Sequence, residues 1–327
     1  MILRTDLPKL CDYLDEIFLE SSADAIAEMV GPKIFGVEET DKWSYEYQTE
    51  HGLNGIEEIS EGQELPEVVT AEGDSITATQ REFGAKVTLT KRTRKFCDWN
   101  SPKLGEMVNT IVEDAWQKID QSMAEVLQNG FSSSNYTDVY GKSVEATCPD
   151  GVALFSASHS NNLNSDVFRN LIRNPAGTSN PGVTRESIIQ ARVDAANHKD
   201  ANGVNRPVML DSIVCSPAKY DEIMRIVNSD GLSGEFTRDY NPIKGLIKVE
   251  QWSRLSAKKD GTDTSAYWFM YDSRKVARSL KCLFAERPGL QAPEQVLENN
   301  NWIWKLNYYY TLFRAFPAYM FGSQGTA

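Results

Sequence analysis

Two serines and a histidine crowd the stretch Asp150-Gly151-Val152-Ala153-Leu154-Phe155-Ser156-Ala157-Ser158-His159. Ser156 or Ser158 as nucleophile with His159 as base would make a hydrolase, a triad being a matter of geometry and not of adjacency. Sequence spacing assigns no orienting acid. Side chains of this kind also hold a polar loop by bonding to its backbone, and on that reading no catalytic residue is assigned. Glu57, Glu58, Glu61 and Glu64 suggest paired carboxylates. Their glycine-rich surroundings, with Gly52, Gly55, Gly62 and Gly73, lack the core that would fix two carboxylates, so they read as surface charge.

Cofactor and metal chemistry find no footing. Neither a phosphate-binding loop, a dinucleotide glycine fingerprint nor a Gly-x-Ser-x-Gly elbow is present. His51, His159 and His198 are far apart, and the cysteines at 11, 97, 148, 215 and 282 form no Cys-x-x-Cys pair. The thiols read as reduced and structural, with no metal and no cofactor.

The elements around these groups follow from periodicity. Leu7, Leu10, Leu14, Ile17 and Phe18 predict an amphipathic helix over 6–30, ending before Gly31-Pro32. Trp43, Tyr45 and Tyr47 alternate with polar residues, and so do Phe83, Ala85, Val87 and Leu89, predicting two strands. The intervening 51–82 is too poor in apolar residues for its own core and too long for an unstructured loop. A two-stranded excursion from the body resolves that, and a lone hairpin needs another surface to lie on. A long helix over 102–129 opens at Ser101-Pro102, stops at Asn129-Gly130 and sets Asp114 and Lys118 on its polar side. Irregular connection over 131–183 precedes an α/β unit: helix 185–197, strand 208–215, helix 217–228 and strands at 247–249 and 267–271. Trp302, Trp304, Leu306, Tyr308, Tyr310 and Leu312 then mark one face of a strand near 50 Å long, by about 3.3 Å per residue.

Charge is unevenly placed. The chain has 327 residues and a formal net charge of -12, with 41% hydrophobic and 24% charged residues, an ordinary globular balance. Residues 1–65 hold 16 acids against four bases, and the rest is balanced. That excludes tight sequence-independent binding to nucleic acid, which needs a basic surface. The basic cluster Lys91, Arg92, Arg94 and Lys95 reads as a solvated strand end or as a docking site for the hairpin's acids. No run of about 20 uninterrupted apolar residues offers a membrane span.

This order of elements resembles the tailed-phage major capsid protein of the Hong Kong 97 type over most of the chain. The stretch 150–159 is similar to the corresponding segment of Mu-like major head subunits, as is 207–228. The resemblance implies an α+β capsid fold. Its N-terminal arm would be 1–35 and its extended loop with flanking strands 36–95. A peripheral domain would cover 96–183 with the spine helix at 102–129, an axial domain 184–283, and a returning peripheral strand 284–327. It also implies a virion shell protein that assembles in the host cytoplasm into pentamers and hexamers around double-stranded DNA. Partners would be other copies, a portal and a separate scaffolding protein, this last because the chain begins directly with the arm. An encapsulin-like compartment protein, loading enzyme cargo, is the alternative on the same fold. The type member crosslinks through a lysine on its loop, and residues 43–85 contain none, so that chemistry is not expected.

Both the acidic hairpin and the amphipathic arm are expected to need neighbours. Trp43, Tyr45 and Tyr47 are expected to anchor the hairpin's base, and Glu57, Glu58, Glu61 and Glu64 to lie on basic groups of an adjacent subunit.

Overall fold

A computed structural model describes residues 6–48, 58–60, 64, 74–96, 98, 102–161, 164–199, 205–229, 241–296 and 300–326. The chain opens with helix α1 (Leu7–Glu28), whose apolar stripe buries Leu10 and Leu14. A single turn, α2 (Gly31–Ile34), leads to strand β1 (Gly36–Glu39). Strands β2 (Ser44–Gln48), β3 (Ser75–Thr79) and β4 (Arg81–Leu89) follow, then the short helix α3 (Lys91–Phe96) and the rod α4 (Pro102–Gln128). At 27 residues, α4 is about 40 Å long.

Short ladders occupy the next segment: β5 (Tyr136–Thr137) with β6 (Ser143–Val144), and β7 (His159–Asn161) with β8 (Asn164–Phe168). Helix α5 (Arg185–Ala196) starts at Thr184 in a reciprocal capping box with Ser187. Strand β9 (Ser212–Cys215), helix α6 (Pro217–Asn228), and strands β10 (Lys248–Gln251) and β11 (Trp268–Tyr271) complete the α/β alternation. A short turn, α7 (Val276–Ser279), leads into β12 (Leu280–Leu290), β13 (Glu294–Val296), β14 (Asn301–Arg314) and the final β15 (Met320–Ser323).

Two larger sheets take nine of these strands, and the others pair two by two. In the larger, β14 lies antiparallel to β12, β13 and β4, and β1 runs parallel to β12. The register sets Leu89 opposite Trp302, Val87 opposite Trp304 and Phe83 opposite Tyr308, so the two alternating patterns of the sequence share one face. That face packs against the stripe of α4, including Val108, Val112, Ile119 and Met123, in one buried cluster. The smaller sheet has the order β10-β9-β11-β15, with β10 and β9 parallel. Its interior strands are covered on both sides. Ile213, Met270 and Phe321 face a core with Ile188 and Ile223 of helices α5 and α6, while Val214, Phe269 and Met320 join the cluster under α4.

Several expectations are corrected here. Strand β4 does not pair with the strand at Tyr45. Its partner is β14, and β2 pairs instead with β3, inside the stretch that sequence reading judged too poor for a core. The strand expected at 208–215 forms a ladder only at 212–215, because its partner β10 matches only Lys248–Gln251. The 184–283 unit takes its fourth strand from Met320–Ser323, while Leu280 to Leu283 already belong to the larger sheet. Leu312 keeps the face of Trp302 to Tyr310 and packs on the α4 cluster, but it is only half-buried. Alternation breaks at Thr311, and Phe313 is buried on the reverse side. The basic cluster lies on helix α3 and not on a strand end. Most consequentially, the arm finds its cover within the chain, packed on α4.

Helix α4 is enclosed on every side over 122–128, so its polar residues there and one turn before must be satisfied internally. Asp120 accepts the Gly31 backbone N–H at 2.9 Å and the Trp252 indole N–H at 2.8 Å, which ties the arm and the α/β unit to one carboxylate. Burial raises its pKa despite these bonds. Gly31 comes so near α4 that an added Cβ would collide with the Met123 side chain. Gln128 donates to the carbonyls of Arg254 and Ala257 at 2.9 and 3.0 Å. Asp120→Ala would leave two buried donors without an acceptor, at a cost of about 2–4 kcal/mol for two such losses. Equilibrium urea unfolding should show that loss, and a change under about 0.5 kcal/mol, the range of surface substitutions, would contradict the role.

Candidate functional site

The region that sequence reading singled out for contacts begins at the hairpin root. Strands β2 and β3 form a two-stranded ladder from Ser44–Thr79 to Gln48–Ser75. Tyr45, Tyr47 and Ile76 pack on a small buried cluster of Ala78, Leu283, Phe313 and Ala315. Tyr47 and Phe313 stand with ring centroids 5.8 Å apart. Leu283 and Phe313 are on the sheet face opposite α4, since their neighbours Phe284 and Leu312 pack with the α4 cluster, so the hairpin root covers the reverse side. Trp43 is 61% exposed and packs on none of this. Glu58 and Glu64 are exposed, and Glu57 and Glu61 lie outside the described residues.

The turn from β3 into β4 is held by charge. Arg81 Nη2 lies 2.7 Å from Asp138 Oδ2, and Arg81 covers the rings of Phe83 and Tyr140. Asp138 is buried, and so is Glu125 on α4, which accepts the Val139 N–H at 2.9 Å. Burial pushes the Glu125 carboxyl from 4.5 up to about 7, with the Asp138 charge acting in the same direction against the Val139 bond. Sequence reading missed this pair, because Glu125 looks like any helical glutamate until the surrounding segments close over it.

The basic cluster is fixed at its backbone, and two of its side chains rest on aromatic rings, Arg94 on Trp302 and Lys95 on Phe96. Thr90 accepts the Thr93 N–H at 3.2 Å, Asn301 accepts the Lys91 N–H at 3.0 Å, and Arg94 stacks over Trp302 at 4.9 Å. Among the described residues no carboxylate pairs with Lys91, Arg92 or Lys95, and Phe96 beside them is 75% exposed. None of these four bases reaches Glu58 or Glu64 of the same chain.

The Ser-His stretch does not assemble a nucleophile. His159 is fully buried, and its Nδ1 faces Asp150 Oδ2 at 2.6 Å. Its Nε2 faces the Leu154 carbonyl and Asn170 Oδ1, at 3.2 and 3.1 Å. No ring nitrogen therefore remains for a serine, and Ser156 Oγ accepts the Ser158 N–H. An acid does partner the histidine, nine residues upstream, but the assembly braces a loop. Asn170 completes it by donating to the carbonyls of Leu154 and Pro317.

Burial also keeps the cysteine thiols protonated, with Cys148 and Cys215 pushed up to about 12 and Cys282 raised further, so they are poor nucleophiles. Cys97 lies outside the described residues. No group of three metal-ligating side chains is found among the described residues, and no helix among them is long and apolar enough to cross a membrane.

Comparison with known proteins supplies a family. The model of a phage capsid protein family matches residues 73–320, from just before β3 to the first residue of β15. The chain belongs to that family, which points to a structural protein of the phage head. Among solved structures, the capsid structure of the cyanophage P-SCSP1u is similar with a TM-score of 0.51 at 12% identity, covering 90% of this chain and 87% of that one. A phage-related protein from Bordetella bronchiseptica RB50 gives a TM-score of 0.50 at 11% identity, over 93% and 96%. At such identity the likeness is one of fold. No curated protein matches.

The raised Glu125 carboxyl gives a signed pH dependence. Between about pH 5 and pH 7 the folded chain retains a proton that the unfolded chain releases, so this group lowers stability as pH rises through that window. Glu125→Gln removes the ionisation. Its melting temperature should exceed that of the parent at about pH 8, with the gap closing toward about pH 5. A gap that is constant with pH, or widest in acid, would contradict the assignment.

Proposed function

We propose that this chain is the repeating subunit of an icosahedral head of the Hong Kong 97 type, forming pentamers and hexamers that enclose double-stranded DNA. In this reading 1–35 is the arm, 36–95 the extended loop with its flanking strands and 102–129 the spine helix. The α/β unit that begins at 184, with its returning strand Met320–Ser323, is the axial domain, and 96–183 with the remainder of the larger sheet is the peripheral one. The subunit assembles in the host cytoplasm with a portal and a separate scaffolding protein, and becomes part of the virion.

The observation that carries this reading is the hairpin. Its ladder has two strands only, packed at one end on Phe313, and beyond the ladder Glu58, Ile59 and Glu64 stand exposed. Two isolated strands are marginal in water, and exposed acids alone stabilise nothing. An adjacent subunit supplies both an apolar surface and basic groups. An exposed ion pair contributes about 0–1 kcal/mol, yet a closed shell repeats each contact and ties every subunit to several others, so small contributions accumulate. Weak single contacts also let a misplaced subunit leave.

Replacing Glu57, Glu58, Glu61 and Glu64 together with Gln should leave circular dichroism and melting of the unassembled chain unchanged. Shell yield, counted by electron microscopy, should fall by about tenfold or more, since small losses multiply over many copies. Normal yields of intact shells would overturn the role given to the hairpin.

A further inference from the structure

The interior faces of α1 and α4 pack together, but their outer edges diverge into an open groove of about 800 Å³. Its lining is of mixed polarity, with Tyr13, Ile17 and Met29 among the apolar contributors. Its walls carry Glu20, Asp24 and Glu28 from α1 and Glu106 and Glu113 from α4, and Arg254 is the one base on its lining. Arg254 is directed toward the buried Asp120, with its Nε 3.9 Å from Oδ2. Two acidic helix edges thus face each other with little of their charge offset. A cationic occupant is complementary to such a lining.

The complementary shape is on the same chain. Helix α3 holds four bases in six residues. Arg92, Lys95 and Phe96 stand at i, i+3 and i+4, on one helical face. All three are exposed, Phe96 by 75%, while Arg94 is turned away onto Trp302. A phenyl ring with a base beside it on either flank suits a groove that combines apolar side chains with these acids and a single base. Within one chain the two do not meet, since Phe96 remains in solvent.

We propose that the α1–α4 groove receives helix α3 of a second copy, with Phe96 against Tyr13, Ile17 and Met29, and Arg92 and Lys95 among the acids of the two helices. This rests on the shell reading, in which the second copy is a neighbour, and it gives the basic cluster a different occupant from the hairpin's acids. Helix α3 ends six residues before α4 begins, and Pro102 lines the groove. Both halves of the contact are therefore near the same end of α4, and two copies can exchange them reciprocally.

Charge exchange tests this. The full chain is prepared as parent, as Arg92→Glu with Lys95→Glu, as Glu106→Lys with Glu113→Lys, and as all four together. All four positions are exposed, and circular dichroism confirms that each variant is folded. Sedimentation velocity and electron microscopy then read the assembled fraction. Each double variant should lose about tenfold in assembly, corresponding to about 1.4 kcal/mol per contact, and the quadruple variant should recover to near the parent. Indifferent double variants, or a quadruple variant that does not recover, would overturn the proposal. If the basic helix instead serves the hairpin's acids, only the Arg92 and Lys95 pair loses assembly and the added groove changes do not rescue it, which also overturns it. A parent chain that never assembles contradicts the shell reading itself. Parent shells with indifferent variants contradict only the groove contact.

Discussion

The enclosure of helix α4 is the constraint on which the other contacts depend. A helix with one apolar stripe needs one partner, but over its last two turns α4 has partners all round, and each buried polar side chain there binds a different part of the chain. Asp120 holds the arm and the α/β unit, Glu125 the segment at Val139, and Gln128 the loop after Trp252. Buried polar groups that find such partners only in one arrangement select that arrangement over other compact ones, although Glu125 Oε1 and Gln128 Oε1 stay without a hydrogen-bond partner among the described residues. The long strand β14 supplies the matching flat surface, and Ser122 joins helix and strand directly through the Tyr310 hydroxyl, 2.9 Å away.

With that body complete, assembly has a narrower task than the sequence suggests. The arm does not wait for a neighbour, because Leu10 and Leu14 are already buried on α4. Among the described residues, what stands exposed is on the outside: Glu58, Ile59 and Glu64 beyond the hairpin root, the basic face of α3 with Phe96, and scattered apolar side chains such as Leu19 and Trp43. A subunit of this kind can be stable alone and still associate, since its contacts with neighbours complete surfaces and do not build the core. That separation of folding from association suits a shell formed by reversible steps.

Much of this was legible in the chain because the patterns were long. The 27-residue helix and the Trp302 to Tyr310 alternation each fix period and face over many residues, and the structure shows them close to where they were expected. Pairing was less legible. Tyr45 and Phe83 have the same alternation, and nothing local says that one pairs with Ser75–Thr79 and the other with β14, a choice made by burial on opposite faces of a distant sheet. The break at Thr311 was hidden for the same reason, since it follows from the hairpin root covering the reverse face. His159 was visible as a candidate, yet its partners Asp150 and Asn170 depend on how the loop closes. The α1–α4 groove had no signal in sequence, because its acids are spread over two helices about 80 residues apart and read as solvated charge.

Amide hydrogen exchange, followed residue by residue in unassembled and assembled chains, tests the division between a finished body and an uncovered hairpin most directly. Amides of α4 should exchange only through global unfolding in both states, and those of β2 and β3 should be fast in the free chain and slow in shells. Equal hairpin protection in both states, or an α4 that becomes protected only on assembly, would contradict the account.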